Sequence, residues 1–194
     1  LQSAAQEHQH SGDLGTVTFP VACNAEAQAR MNRAVAMQHS FWFQEARKTF
    51  ESVVAADPKC GIADWGVALT HIGNPMAGGA TGQAQALGWE AAQKAVQIGA
   101  QSERDRGYID AAVALYRDYD KVDNRTRMRA YEAALKSIVD KNPQDTEAKI
   151  LHGIMMVANA PPTDLTFAQQ KKAAELLTAL YVKQPRHPGL AHYI

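Results

Sequence analysis

From Asn24 onward, apolar residues recur at intervals of three and four, and the pattern is broken by Pro, Gly and polar clusters. That spacing predicts a succession of amphipathic helices. "NAEAQARMNRAVAMQHSF" opens the series, with Asn24 as the expected N-cap and Glu26 in the first turn. "FQEARKTFESVVAADP" puts Ala46, Phe50, Val53 and Val54 on one face, and Pro58 closes it. "GIADWGVALTHIG" follows directly. "GNPMAGGATG" is the one obvious loop. Five more helices are expected: "QAQALGWEAAQKAVQIG", "SERDRGYIDAAVALYRDY" with Ser102 as cap, "DNRTRMRAYEAALKSIVDKNP", "DTEAKILHGIMMVANA" and "FAQQKKAAELLTALYVKQP". A ninth begins near Pro188. No segment alternates like a strand, and no hairpin signal occurs.

Three helix junctions repeat one plan: "AADPKCGIADWG", "DKNPQDTEAKIL" and "VKQPRHPGLAHY". Each runs helix, polar residue and Pro, short turn, new helix. Pro143 and Pro185 are 42 residues apart; Pro58 and Pro143 are 85 apart, about twice that. The period suggests stacked units of roughly 40 residues.

These units resemble the tetratricopeptide repeat (TPR), which has a small residue in its first helix, Ala and then a large apolar residue in its second, and a closing Pro. The matching residues are Ala34, Ala46, Phe50 and Pro58 in the first unit, and Gly153, Ala173, Leu177 and Pro185 in the last. The middle unit departs, with Tyr131 where Ala is expected. Small residues let helices approach and large ones fill the groove between them. The fold expected is therefore all-α, a right-handed α-solenoid of TPR-like antiparallel helix pairs, with about eight helices and the start of a ninth. Residues 1–22 form an extended N-terminal segment and residues 23–194 the helical repeat domain. The segments "LGTVTFPVACNAEAQARMNRAVAMQHSFWFQEARKTF", "DPKCGIADWGVALTHIGNP", "NAPPTDLTFAQQKKAAELL" and "QPRHPGLAHYI" resemble the N-terminal part of a bacterial family of exported TPR proteins whose role is poorly defined. That resemblance implies a signal peptide, a periplasmic or secreted location and further helices past Ile194.

The chain begins with Leu1 in a polar stretch that lacks an apolar core, as expected of a mature chain after signal cleavage; truncation by cloning or proteolysis would look the same. The last stretch, "HPGLAHYI", is expected to be too short a helix to bury a face, as if the chain continued. Twenty basic residues balance 20 acidic ones, which argues against nucleic acid as a partner. No apolar run is long enough to span a bilayer, so no transmembrane segment is expected. Two cysteines, Cys23 and Cys60, are candidates for a disulfide; two buried thiols are the alternative.

The histidines carry what candidate chemistry there is. His8 and His10 form an "HQH" pair able to bind copper or zinc weakly, or sit in a polar tail by chance. His39 falls five residues after Ala34, and His71 five after Gly66. Equivalent repeat positions would place both in the concave groove, flanked by Gln38 and Thr70, as a binding surface. Capping of helix ends is the alternative. His152 does not share that register and is expected to be buried or at an interface. His187 and His192 lie at the end of the chain. Trp42 and Trp65 are core residues or an aromatic platform for a peptide. Arg125, Arg127 and Arg129 are expected on a solvated helix face. No nucleophile elbow, zincin motif, phosphate loop or EF-hand occurs, and no carboxylate pair stands out. The expected function is a non-catalytic scaffold that grips a protein or peptide partner, with no cofactor. Two alternatives remain: a metal-binding protein using the groove histidines, or a structural subunit of an exported or membrane-associated assembly.

Overall fold

In a computed structural model of the chain, residues 13–194 are described. Among them the protein is all-helical, with nine α-helices, one 3-10 turn and no strand. The helices are α1 (Ala25–His39), α2 (Phe43–Ala56), α3 (Gly61–Thr70), α4 (Gln83–Ile98), α5 (Glu103–Tyr116), α6 (Asn124–Lys141), α7 (Thr146–Ala158), α8 (Ala168–Lys183) and α9 (Pro188–Tyr193). No described helix is long and apolar enough to cross a membrane.

Local chemistry sets the helix ends. Asn24 accepts from the Ala27 N–H, Ser102 from Asp105, Asp123 from Thr126, and Asp145 from Ala148. Each side chain satisfies one of the free N–H groups of a first helical turn. Pro58, Pro143 and Pro185 follow the ends of α2, α6 and α8, where a missing N–H and a fixed φ stop further winding.

Every helix packs on the next along the chain, and α3 also meets α1 and α5. Small residues control how closely. A Cβ added at Gly66 in α3 would fall 2.3 Å from the Phe50 ring of α2. One added at Gly153 in α7 would fall 2.9 Å from Leu177 of α8. So Phe50 and Leu177, both fully buried, fill space that only glycine leaves open. Tyr131 is likewise buried in the core.

The two ends of the described chain meet. α9 touches α1, α7 and α8. Although α9 has only six residues, it buries Gly189 and Leu190. The expectation that so short a helix has no face to bury is corrected, because α1 and α8 supply the surface it sits on. Residues 13–22 have no regular structure, yet Val17 and Phe19 are buried in the core. Cys23 and Cys60 are joined by a disulfide, which ties the end of this segment to the N-cap of α3.

Candidate functional site

Among the described residues, two places gather side chains that could act on something else. The first is the cradle around residues 16–22. Its floor comes from α1, α3 and α5. The side-chain oxygen of Asn32 accepts from the Phe19 N–H at 2.9 Å. Gln28 accepts from the Val21 N–H at 2.9 Å and donates to the Phe19 carbonyl at 2.8 Å. Arg104 donates to the Pro20 carbonyl at 2.6 Å. The backbone of the segment is thus read by side chains, much as a strand partner would read it. Phe19 supplies the anchor. Its ring stacks on Trp65, 5.1 Å between centroids and 5° between planes, and meets Tyr108 edge-on. The Arg104 guanidinium lies 4.5 Å from the Phe19 centroid, a cation–π contact. Asp145 holds Arg104 in place through a 2.7 Å bond to its Nε, and also accepts from the Tyr108 hydroxyl at 3.0 Å. Further along, the Thr16 N–H donates to the Arg186 carbonyl at 2.9 Å. Gly15, at φ +74°, comes so close there that a Cβ would overlap that carbonyl oxygen.

The second is a buried centre where α1, α7 and α9 converge. His39 is the last residue of α1, Glu147 lies in the first turn of α7, and His187 is the N-cap of α9. All three are 2 % exposed or less. The Glu147 carboxylate receives His39 Nε2 at 2.8 Å on one oxygen and His187 Nε2 at 2.5 Å on the other. His39 Nδ1 is 2.9 Å from the Tyr193 hydroxyl, and His187 Nδ1 is 3.4 Å from the Leu190 N–H. With Nδ1 of each ring accepting, each Nε2–H donates to the carboxylate. Burial alone would raise the Glu147 pKa; the two imidazoles outweigh it and hold the carboxyl well below its usual range. The Tyr193 hydroxyl is pushed up, chiefly by burial. No Lys or Arg forms an ion pair with Glu147 among the described residues.

The structure redistributes the residues the sequence singled out. Gln38, His39, Thr70 and His71 do not line an open groove: they are 6, 1, 2 and 9 % exposed. Thr70 accepts from Arg47 Nε at 3.0 Å and Gln38 donates to the Leu69 carbonyl at 3.4 Å, so both serve the helix junctions. His39 and His71 do occupy matching helix ends, but only His39 reaches the buried centre. The physical reason is that α9 folds back over the end of α1, while the end of α3 lies beside Arg47 of α2, which donates to Thr70. Trp42 is 40 % exposed and Trp65 fully buried, so they form no shared platform; Trp65 instead receives Phe19. The solvated-face reading of the arginine run is corrected at Arg127, which is buried and donates to the Leu115 carbonyl near the end of α5 and to the Val122 carbonyl in the connection to α6. His152 is half-buried, 4.0 Å from Glu132. His192 Nδ1–H donates to the His39 carbonyl, 3.0 Å away, and the ring stacks on Phe41. His8 and His10 lie outside the described residues.

Sequence reasoning missed Glu147, Arg104, Asn32 and Phe19 as site residues. Glu147 sits in a first turn, where an acid is ordinary, so nothing local marks it. No protein-family model matches the chain, and neither does a curated protein or a solved structure.

Proposed function

We propose that the protein is a non-catalytic scaffold that binds an extended protein segment on the face shared by α1, α3 and α5, and that it works in the periplasm or outside the cell. The reading includes the finer architecture: a TPR-like right-handed solenoid whose odd-numbered helices form the concave side. The packing of each helix on the next, with α3 touching α1 and α5, supports that arrangement. The disulfide supports an oxidising compartment.

One observation carries the reading. Residues 19–21 are held as a bound peptide would be, by side-chain bonds to backbone and one buried aromatic anchor. Backbone contacts provide affinity with little demand on sequence, and the pocket for the ring provides selectivity. The resident segment occupies the cradle in cis. A partner of the same chemistry, an extended stretch with one aromatic side chain, would compete for it.

The test is a labelled peptide covering residues 15–22 added to the Phe19→Ala variant. Saturable binding is expected, with quenching or shift of Trp65 emission, and none for the same peptide with its Phe replaced by Ala. A variant that keeps its helical circular dichroism yet binds no peptide would overturn the reading.

A further inference from the structure

We propose that His39, Glu147 and His187 form a binding site for a divalent first-row transition metal, a two-imidazole, one-carboxylate set that the scaffold reading does not require.

The three ligand atoms lie within 4.8 Å of one another, and this is the cluster of metal-ligating side chains among the described residues. They come from three helices far apart in the chain, so their convergence is not a by-product of one helix face. Both imidazoles turn Nε2 toward the same carboxylate. Imidazole with carboxylate is a donor set suited to zinc, iron, cobalt or nickel, and three protein ligands leave a tetrahedral shell one position short.

Charge argues in the same direction. A carboxylate 2 % exposed with no Lys or Arg partner needs a compensating cation. A divalent metal held between the two rings would supply it. Tyr193 is the outer partner such a site needs. When Nε2 of His39 binds a metal, its proton resides on Nδ1 and donates to the Tyr193 oxygen 2.9 Å away. His187 gives up more. Its Nδ1 then carries the proton and no longer accepts from the Leu190 N–H, but that contact is already long at 3.4 Å.

Metal binding requires the cluster to rearrange, because its ligand atoms are spread within 4.8 Å. Metal bonds of about 2.0–2.2 Å in a tetrahedron set ligand atoms roughly 3.3 Å apart. The direct contacts of 2.8 and 2.5 Å must open by roughly 0.5 and 0.8 Å, while any pair wider than ~3.3 Å closes. The six-residue α9, with His187 as its N-cap, is the shortest of the three elements and the one whose shift would move a ligand. A surface cavity lined by Ser40, His187, Pro188 and His192 lies outside the site, and the covered His187 side chain separates the two.

The experiment uses the full chain carrying His8→Gln and His10→Gln, so that the N-terminal pair cannot answer for the site. The protein is stripped with chelator, kept oxidised, and titrated with Zn2+ against a chromophoric competitor. One Zn2+ per chain is expected, and Glu147→Gln is expected to weaken binding by about 100-fold or more. Co2+ should give the intense visible bands of a low-coordinate site, lost in the same variant. Because Glu147→Gln could fail to fold, the parent chain carries an independent readout: long-range 15N spectra, in which Zn2+ should shift the His39 and His187 imidazoles and leave His71 and His152 in place. Absence of stoichiometric Zn2+ binding, equal affinity in a folded Glu147→Gln variant, or shifts confined to other histidines would each overturn the site.

Discussion

Phe19 stacks face to face on Trp65, with ring planes 5° apart, although one belongs to an irregular segment and the other to the middle of α3. The segment is therefore part of the core. Replacing Phe19 with Ala removes a fully buried ring and leaves a cavity between Trp65, Tyr108 and Arg104. A loss of about 3–5 kcal/mol is expected. Chemical denaturation followed by Trp emission measures it. A loss below about 1 kcal/mol would mean that residues 13–22 merely lie on the surface.

The Cys23–Cys60 disulfide closes a loop of 37 residues and anchors that same segment. Chain entropy sets its contribution at about 4 kcal/mol. Native strain and residual structure in the unfolded chain usually reduce the measured value to roughly 2–4 kcal/mol. Reductant should lower the melting temperature of the wild-type chain and leave that of Cys23→Ser/Cys60→Ser unchanged. Equal melting of all forms would show that the cradle alone holds the segment.

How far the sequence disclosed this architecture differs from element to element. Helices were legible because each carries its own signals: Asn24 and Ser102 as caps, prolines past the ends of α2, α6 and α8, and apolar residues at helical spacing. Close approaches were partly legible as well, since Gly153 facing Leu177 follows from a small residue and a large one in the right places. The buried centre was not. His39 stood out by register, but its partner Glu147 is separated from it by 108 residues and looks like any first-turn acid. Only the return of α9 onto α1 brings the three groups together, and no local pattern encodes that return. Phe19 was hidden for a related reason: Val17 and Phe19 alternate with exposed Thr16, Thr18 and Pro20, but so short an alternation with no partner strand does not say what the inward side packs on.

His71 gives a pH dependence with a definite sign. Burial, reinforced by the Arg47 guanidinium and opposed by Glu90, lowers its pKa from 6.5 to about 4. The unfolded chain therefore takes up a proton near pH 6.5 while the folded chain resists until about pH 4. Stability from this group is complete above pH 6.5 and falls as pH drops toward 4. The ring sits at the edge of the core, where water still screens Arg47, so about 1–2 kcal/mol is expected rather than the full value of the shift. Unfolding free energies at pH 7.5 and 4.5, compared between wild type and His71→Gln, isolate the term. The variant should lose less stability on acidification. Equal losses would mean that His71 is hydrated in the folded state.

Gly66 and Phe50 test how α2 and α3 are locked. A methyl group at Gly66 would have to occupy space 2.3 Å from two ring carbons of Phe50, both residues being buried. Neither backbone can withdraw easily, because α2 and α3 are joined by a tight turn at residues 57–60. Gly66→Ala should therefore cost about 1–3 kcal/mol despite the better helix propensity of Ala. Phe50→Leu alone should also destabilise, by leaving a void. Combined, the two changes relieve each other, because a smaller side chain opens the space that the methyl needs. The double variant is expected to be more stable than the sum of the single effects by 1 kcal/mol or more, on the order of couplings seen between residues in contact. Strict additivity would show that the helices shift as rigid bodies to absorb the methyl group, and that glycine at this position does not set their separation.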